Sequence, residues 1–423
     1  MKKINPYKYR GSLFSCGSKS HAQRILILGV LSRSAVFIEN LIEGSIGTDV
    51  EHVMGICRKL GFQFNQESNG VQMIAPQTIQ IVPGSSFSIG ESGFALRTLS
   101  TVLSTFSDSY IIEGQNTILT RDHKELIQSL RSLGFIVTAK ENMLPITVSK
   151  NTELPSSIDV DGAEGSQFIS GLLMYCSALS SDTEIRVQHQ TSRPYIDLTI
   201  ETIRQFNGVV EYKMNSSFLI QGNQKIKAAA VSLEGDWSNM SFHLVGAALN
   251  GEVIVSGLNT SSSQGDQIIL NVLDEFGANI GSTSSNDITV SSADKNPIHI
   301  DLTDTPDLFP VLSVLACGAI GVSKLFGTKR LLNKESNRLQ SICDMLKVFK
   351  VRFQLEENCI HIVGSGVVHG GNVKTYNDHR MAMAAICAGT IAENEIVIDN
   401  EECINKSYKN YFEQMDSILN YEA

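Results

Sequence analysis

Basic side chains recur in this chain at the polar starts of apolar, helix-like segments. In residues 17–24, Lys19 precedes Ser20 at a turn, and Arg24 follows one helical turn later. The first turn of a helix presents unsatisfied N–H groups and a partial positive charge, so such segments favour the binding of phosphate or carboxylate. Other basic residues in comparable positions or on short helical faces are Arg97, Lys334, Arg338, Arg380 and Lys406.

Acidic and imidazole side chains occur in the same kinds of segment: Asp307 at the start of an apolar helix-like segment, Glu335 next to Lys334, and His379 next to Arg380. Each also has an ordinary structural interpretation. Asp307 follows a proline and could be a helix N-cap. Glu335 could form a solvated surface pair with Lys334, and His379 could be a hydrogen-bonded core histidine. These residues therefore need the context of the elements that position them.

Composition limits the classes of partner. The 423-residue chain has a formal net charge of −10 and no long basic stripe, so nucleic acid is not an expected ligand. Its apolar runs are shorter than the roughly 18 residues of a membrane span, so we expect a soluble protein. Its eight cysteines are scattered, without metal-ligand spacing, which predicts reduced thiols in the cytoplasm. Anionic ligands would need locally concentrated cations.

An internal repeat of about seventy residues organises the sequence. An amphipathic helix-like segment is followed by a junction residue and a strand-like run at Gly61, Gly134, Asn207, Gly277, Lys350 and Asn420. Gly and Asn tolerate the left-handed conformation that ends a helix, whereas Lys350 does not fit this explanation. Apolar helices that begin near Ser20, Gly93, Ser166, Asn239, Asp307 and His379 keep the same period. The pattern predicts six α/β units, three in each of two domains, each unit with one buried helix.

Four motifs in this order carry a resemblance to a known family. They are Gly-Ser-Lys-Ser at 17–20 with Arg24, Ser-Arg-Pro-Tyr-Ile-Asp at 192–197, Lys-Glu-Ser at 334–336 with Arg338, and Tyr-Asn-Asp-His-Arg-Met-Ala-Met at 376–383. Over nearly its whole length the chain resembles the 5-enolpyruvylshikimate-3-phosphate synthase family.

The resemblance implies an inside-out α/β prism with two similar domains of three βαβαββ-like repeats. One domain would comprise residues 1–17 plus 235–423 and carry phosphoenolpyruvate-side residues. The other, residues 18–234, would carry shikimate 3-phosphate-side residues. The crossovers would lie near Gly17 and Glu234, with the active cleft between the domains.

The implied reaction transfers the enolpyruvyl (carboxyvinyl) group of phosphoenolpyruvate to the 5-hydroxyl of shikimate 3-phosphate, through a tetrahedral adduct that expels phosphate. It belongs to the shikimate pathway of aromatic amino acid biosynthesis. The resemblance implies no metal and no organic cofactor, and a cytoplasmic monomer whose partners are its two small substrates.

Motif positions imply roles for individual residues. Shikimate 3-phosphate would be held by Lys19, Ser20, Arg24, Ser166, Gln167, Ser192, Tyr195, Asp307 and Lys334. Phosphoenolpyruvate would be held by Lys19, Gly93, Arg121, Gln167, Arg338, Arg380 and Lys406. The implied catalytic set is Asp307, Glu335, Lys19, Lys334 and His379. Asp307 would be the base for the hydroxyl and Glu335 the proton relay at C3, an order that the sequence alone does not decide.

Several positions depart from the pattern of the family. The most prominent are Glu91 near an anion site, Phe94 where Thr is common, and Gly165 where a serine would offer a phosphate donor. Others are Cys16 where proline is usual, Arg121 without a following proline, Arg330, and Asn337 where Asp is common.

Two alternatives stay open at this point. The departures at the site are compatible with a non-catalytic homologue that only binds ligands. The sister enzyme that transfers enolpyruvate to UDP-N-acetylglucosamine is the other, but no cysteine of this chain lies in a matching glycine-rich loop.

Overall fold

The computed structural model describes residues 1–151, 154–214, 216–282 and 287–421. It divides into two compact units, one of residues 1–18 and 234–423 and the other of residues 19–233. The helices are α1 (Lys19–Ser32), α2 (Thr48–Lys59), α3 (Gly93–Val102), α4 (Lys124–Ser132), α5 (Gln167–Ser177), α6 (Arg193–Gln205), α7 (Trp237–Leu249), α8 (Ile269–Phe276), α9 (Phe309–Gly318), α10 (Arg338–Val348), α11 (His379–Cys387) and α12 (Tyr411–Ile418).

The strands are short. They are β1 (Lys2–Ile4), β2 (Tyr7–Phe14), β3 (Val36–Glu39), β4 (Gln63–Glu67), β5 (Gly70–Ile74), β6 (Ser85–Ser88), β7 (Ser109–Glu113), β8 (Phe135–Lys140), β9 (Met143–Lys150), β10 (Ser157–Asp161), β11 (Thr183–Gln188), β12 (Glu211–Lys213), β13 (Ser217–Ile220), β14 (Ala230–Ser232), β15 (Gly251–Ser256), β16 (Asn279–Gly281), β17 (Asp287–Ser291), β18 (His299–Asp301), β19 (Ile320–Phe326), β20 (Arg352–Glu356), β21 (Cys359–Ser365), β22 (Gly371–Val373), β23 (Ile396–Ile398) and β24 (Leu419–Tyr421).

Among the residues that the structure describes, the strands form six sheets that share one pairing scheme, which confirms the predicted α/β repeats. In each sheet, the strand that follows a buried helix pairs in parallel on one side and antiparallel on the other. The order β6-β7-β9-β8, with α3 between β6 and β7 and α4 before β8, is the complete βαβαββ unit.

Two sheets close by strands that are distant in sequence. In the unit of residues 19–233, β14 returns at the end of the unit to lie beside β3. In the other unit, β2 from the N-terminus pairs with β15. The last repeat is irregular because β24 joins the sheet of β2, while β1 pairs with β23 instead. The two termini of the chain therefore complete each other's sheets.

One helix of each repeat is buried on all sides, as predicted. Every residue of α7, α9 and α11 is buried, and so are eleven consecutive residues of α1. Within one unit α1, α3 and α5 contact one another, and within the other α7, α9 and α11 do the same. The sheets cover these helices, with alternating buried and exposed positions such as those of β2 and β8. All eight cysteines are free thiols.

The chain crosses between the two units at adjacent positions. Gly17 and Gly235 form an isolated antiparallel bridge, and the Ser18 N–H donates to the Glu234 carbonyl at 2.8 Å. A Cβ atom at Gly235 would lie 2.4 Å from the Gly257 carbonyl oxygen, so only glycine fits. Within the described residues, none of the helices has the length and apolarity needed to cross a bilayer.

Five of the six junction residues take the left-handed conformation. Residue type predicts this conformation at Asn420 and not at Lys350, whereas the structure shows the reverse. Gly61, Gly134, Asn207 and Gly277 have positive φ, and so does Lys350, at +56°. The Val351 N–H closes the helix end on the Leu346 carbonyl at 3.0 Å. Asn420, in contrast, lies inside strand β24. The closure of the helix end therefore imposes the conformation on Lys350 against its preference.

We predict that Lys350→Gly raises the free energy of unfolding by about 0.5–1 kcal/mol, because a left-handed residue with a Cβ atom is strained. Chemical denaturation measures this change. The matched control is Lys347→Gly in the exposed last turn of α10, which should lower stability by about 1 kcal/mol. A loss of stability in Lys350→Gly would contradict the strain argument.

Candidate active site

In the unit of residues 19–233, the starts of α1 and α3 are joined by polar side chains. The Lys19 ammonium lies 3.2 Å from the Asp49 carboxylate. The Gln23 amide donates to the Asp49 carbonyl at 3.1 Å and to the Ser92 hydroxyl at 2.9 Å. Ser92 itself caps α3 by accepting from the Ala95 N–H at 3.1 Å. Lys19 is therefore held at one end of the buried helices.

Arg24 is 1% exposed, and within the described ranges its guanidinium donates only to neutral groups. The acceptors are Thr199 Oγ1 at 2.8 Å, the Ser20 carbonyl at 2.7 Å, Ser170 Oγ at 3.3 Å and the Tyr195 carbonyl at 3.0 Å. Burial lowers the pKa of Arg24 to about 9, which still leaves it charged at neutral pH. Among the described residues no carboxylate forms an ion pair with it. A buried cation without a counter-ion is costly, and an anionic ligand would offset that cost.

A second group of side chains surrounds Gly93 at the start of α3. A Cβ atom at Gly93 would lie 3.3 Å from Arg97 Nη1, 3.6 Å from Gln167 Oε1 and 3.8 Å from Arg121 Nη1. Arg121 donates from Nη2 to the Thr117 hydroxyl at 3.0 Å, and its buried Nε has no hydrogen-bond partner in the described part of the chain. Two arginines and an amide thus converge on a backbone position that lacks a side chain.

The remaining predicted residues of this unit lie at helix starts. Ser166 is buried directly before α5, and Ser192 is buried directly before α6 in the left-handed conformation, with φ of +55°. Neither side chain caps its helix. Tyr195, in the first turn of α6, presents its carbonyl to Arg24.

The departures from the family pattern have structural partners. Glu91 accepts a hydrogen bond from the Thr117 N–H at 3.0 Å, which ties it to the 3-10 turn Asn116–Thr120. The Phe94 ring lies 4.5 Å from the Arg24 guanidinium carbon. Gly165 has φ of +122°, a conformation that a serine would adopt only with strain.

In the other unit, Arg338 is fully buried and binds three carboxylates. Its Nη1 lies 2.7 Å from Asp307 Oδ1, its Nε lies 2.8 Å from Asp378 Oδ2, and its Nη2 donates to Glu335. Burial opposes the charged form, but Asp378, Glu335 and Asp307 outweigh it and raise the pKa of Arg338 well above its usual value. This guanidinium assembles both predicted acid–base carboxylates around one fixed cation.

Asp307 lies in the 3-10 turn Pro306–Leu308 and does not cap a helix, because both of its oxygens accept from arginines. The second arginine is Arg380, whose Nη2 lies 2.9 Å from Asp307 Oδ2. Burial favours the neutral acid, but Arg380, Arg338 and Lys334 outweigh it and hold the pKa of Asp307 far below its usual range. Asp307 is therefore ionised at neutral pH.

Lys334 has a pKa closer to neutrality than those of Arg338 and Arg380. Burial lowers the pKa of its ammonium to about 8, with Arg330 and Arg338 acting in the same direction against Asp307 and Glu335. Lys334 consequently titrates in the range in which an enzyme operates, unlike the arginines beside it.

Arg380, His379 and Lys406 are all buried. The Nε and Nη1 atoms of Arg380 have no hydrogen-bond partner among the described residues, which leaves donors available for an anion. The Nδ1 atom of His379 lies 3.8 Å from Asp378 Oδ1. Lys406 ends the 3-10 turn Glu402–Lys406.

Two carboxylates and an aromatic ring at these sites escaped the sequence analysis as functional candidates. Asp378 binds Arg338 and also caps α11 by accepting from the Arg380 N–H at 3.0 Å. Its position before an apolar run is a recognisable N-cap signal. Asp49, which holds Lys19, and Phe94, which covers Arg24, carry no such signal because their partners are distant in sequence. No group of three or more His, Cys, Asp or Glu side chains in the described ranges is arranged to hold a metal ion.

Comparisons with known proteins cover the whole of both units. The family model for EPSP synthase (3-phosphoshikimate 1-carboxyvinyltransferase) matches residues 5–415. The 3-phosphoshikimate 1-carboxyvinyltransferase of Methanocorpusculum labreanum is 30% identical over 411 residues, 96% of this chain and 96% of that protein. That of Brachyspira hyodysenteriae is 31% identical over 424 residues, 98% of each chain.

A solved structure supports the fold independently. EPSP synthase from Acinetobacter baumannii superposes with a TM-score of 0.80 at 23% identity, and the match covers 100% of this chain and 99% of that one. The family model and the two relatives thus confirm the family that the sequence resembles. This chain belongs to the EPSP synthase (3-phosphoshikimate 1-carboxyvinyltransferase) family of enolpyruvyl transferases.

Proposed function

We propose that this protein transfers the carboxyvinyl group of phosphoenolpyruvate to the 5-hydroxyl of shikimate 3-phosphate. The hydroxyl oxygen bonds to C2 of phosphoenolpyruvate while C3 gains a proton; C3 then loses a proton as the C2–O bond to phosphate breaks. The observation that carries the proposal is the buried Arg24, a cation bound only by neutral groups and thus prepared for an anion. The family membership of the chain supports the same reaction.

Shikimate 3-phosphate takes its place at Arg24 in this proposal. Ser20, Ser166, Ser192 and Gln167 offer neutral donors at the starts of α1, α5 and α6, where helix N-termini favour phosphate. Tyr195 contacts the ring of the substrate. Lys334 and Asp307 complete the acceptor site at the hydroxyl that reacts.

Phosphoenolpyruvate binds through the arginines that retain free donors. Arg121 offers Nε, and Arg380 offers Nε and Nη1. Gly93 permits close approach to the backbone of α3, beside Gln167. A planar carboxylate suits the arginine fork, with Arg338 as a third cation. Lys19 and Lys406 neutralise the phosphate that leaves.

The proton roles follow from the electrostatics of Asp307 and Lys334. A carboxylate with a strongly lowered pKa is a weak base. When an anionic substrate binds Arg338 and Arg380, it weakens the attraction of these arginines for the Asp307 carboxylate. The pKa of Asp307 then rises, and the carboxylate becomes a stronger base. Lys334, whose pKa is about 8, assists the same hydroxyl. Glu335 exchanges the proton at C3, with His379 in a supporting role.

The first test is phosphate release by the purified protein with both substrates, with each substrate omitted in turn. UDP-N-acetylglucosamine serves as the alternative acceptor, and mass spectrometry identifies the vinyl ether product. Release that depends on shikimate 3-phosphate supports the proposal. Binding without release would indicate a non-catalytic homologue.

We also propose that the protein is a monomer and that it is located in the cytoplasm. Light scattering tests the oligomeric state, and cell fractionation tests the location.

Lys19→Met should lower kcat/KM by a factor of about 100–1,000, because it removes a charged donor that stabilises the departing phosphate. Phosphate-release kinetics measure this loss. The matched control, Lys140→Met on the exposed surface of β8, should retain activity. Equal activity of the two variants would remove Lys19 from the site.

Glu335→Gln should lower kcat by a factor of about 100 or more while the Kd for shikimate 3-phosphate changes only a few-fold, because the amide cannot relay a proton. The variant should also fail to exchange solvent deuterium into C3 of phosphoenolpyruvate. Glu357→Gln, an exposed carboxylate paired with Lys329, is the control and should behave as wild type. Exchange at the normal rate in Glu335→Gln would rule out the relay.

The affinity for shikimate 3-phosphate should weaken as pH rises through about 8, since Lys334 then loses its proton and its attraction for the anion. Between pH 8 and 9 the Kd should rise up to about tenfold, the limit for a single titrating group. In Lys334→Arg the cation at this position persists, so the Kd should rise no more than about twofold over this range, the change expected from Arg24, whose pKa is about 9. Calorimetry across pH measures both profiles, and parallel profiles would exclude Lys334 as the titrating group.

A further inference from the structure

Phe94 covers one face of the Arg24 guanidinium. Its ring centroid lies 4.5 Å from the central carbon of Arg24, and only 8% of Phe94 is exposed. Phe94 is the second residue of α3, directly after Gly93, whereas Arg24 belongs to α1. The pair therefore connects two of the helices whose starts carry predicted substrate residues.

The surroundings of Arg24 indicate that the Phe94 ring stabilises the charge of the guanidinium. In the described part of the chain, four hydrogen bonds run from the guanidinium to neutral oxygens, and one of them comes from Nη1. The N–H bonds of a guanidinium lie in its plane. A guanidinium has five N–H groups, so one of those on Nη1 remains for a ligand. The negative face of an aromatic ring attracts a cation without using any in-plane donor. Phe94 thus stabilises the charge of Arg24 and leaves its remaining donor free.

We propose that Phe94 is a positioning residue for the anionic acceptor substrate: its ring holds the buried Arg24 guanidinium in the orientation that binds shikimate 3-phosphate. The proposal rests on the proposed function, because it assumes that Arg24 binds this substrate.

The test compares variants that distinguish the effect of the π face of Phe94 from the effect of its side-chain volume. Phe94→Leu keeps an apolar side chain of similar size but removes the π face, and Phe94→Tyr keeps the π face. By calorimetry without phosphoenolpyruvate, Phe94→Leu should raise the Kd for shikimate 3-phosphate about 5- to 30-fold. Phe94→Tyr should restore it to within about threefold. The KM for phosphoenolpyruvate should stay near the wild-type value.

Phe106→Leu is the matched control, because Phe106 stacks on the surface residue Arg33 at 5.2 Å. It should leave the Kd unchanged. A double-mutant cycle that combines Phe94→Leu with Arg24→Gln then shows whether Phe94 acts through Arg24. In that background the cation is absent, so Phe94→Leu should change the Kd less than about twofold.

Three other outcomes would each contradict either the inference on Phe94 or the proposed role of Arg24. Equal weakening by Phe94→Leu in both backgrounds would show that the ring acts by packing alone and would overturn the inference. An unchanged Kd in Phe94→Leu, with weak binding by Arg24→Gln, would also overturn it while leaving the proposed function intact. Wild-type affinity in Arg24→Gln would instead contradict the role of Arg24 in the proposed function.

Discussion

The complete burial of one helix in each repeat is the constraint on which the rest of the structure depends. A helix such as α9, which is apolar on almost every side, must be covered on every side, and sheets cover the three buried helices of each unit. Their polar ends are then the places where backbone N–H groups still need partners. Side chains such as Ser92 and Asp378 satisfy part of this need. The backbone N–H groups that lack such partners create positive potential beside Lys19, Arg24 and Arg380.

The two units use their buried cations in opposite ways. Arg338 is surrounded by three carboxylates, two of which, Asp307 and Glu335, it holds in place. Arg24 has neutral acceptors and an aromatic ring instead. The first arrangement favours a fixed set of proton-transfer groups, and the second favours an anionic ligand. A protein with a net charge of −10 can attract anions only through such local imbalance.

The departures from the family pattern illustrate how a site tolerates change. Glu91 accepts a hydrogen bond from the Thr117 N–H, in the same 3-10 turn whose Thr117 hydroxyl accepts from Arg121. Phe94 cannot donate a hydrogen bond as threonine does, yet it supplies a π face to Arg24. Neither change removes a cation from the site.

The sequence by itself determined the repeat, the fold class and the motif residues, because a period of about seventy residues and all-round apolar helices reflect local pattern. It also predicted the left-handed junctions at Gly61, Gly134, Asn207 and Gly277, where residue type and conformation agree. Only the tertiary structure decided the junction at Lys350, where helix closure overrides residue preference, and the position of Asn420 in a strand. It likewise decided the partners of Arg338 and Arg24, since Asp378, Thr199 and Phe94 meet these arginines through packing between distant helices. Charge pairing depends on distance in space, which spacing along a chain does not encode.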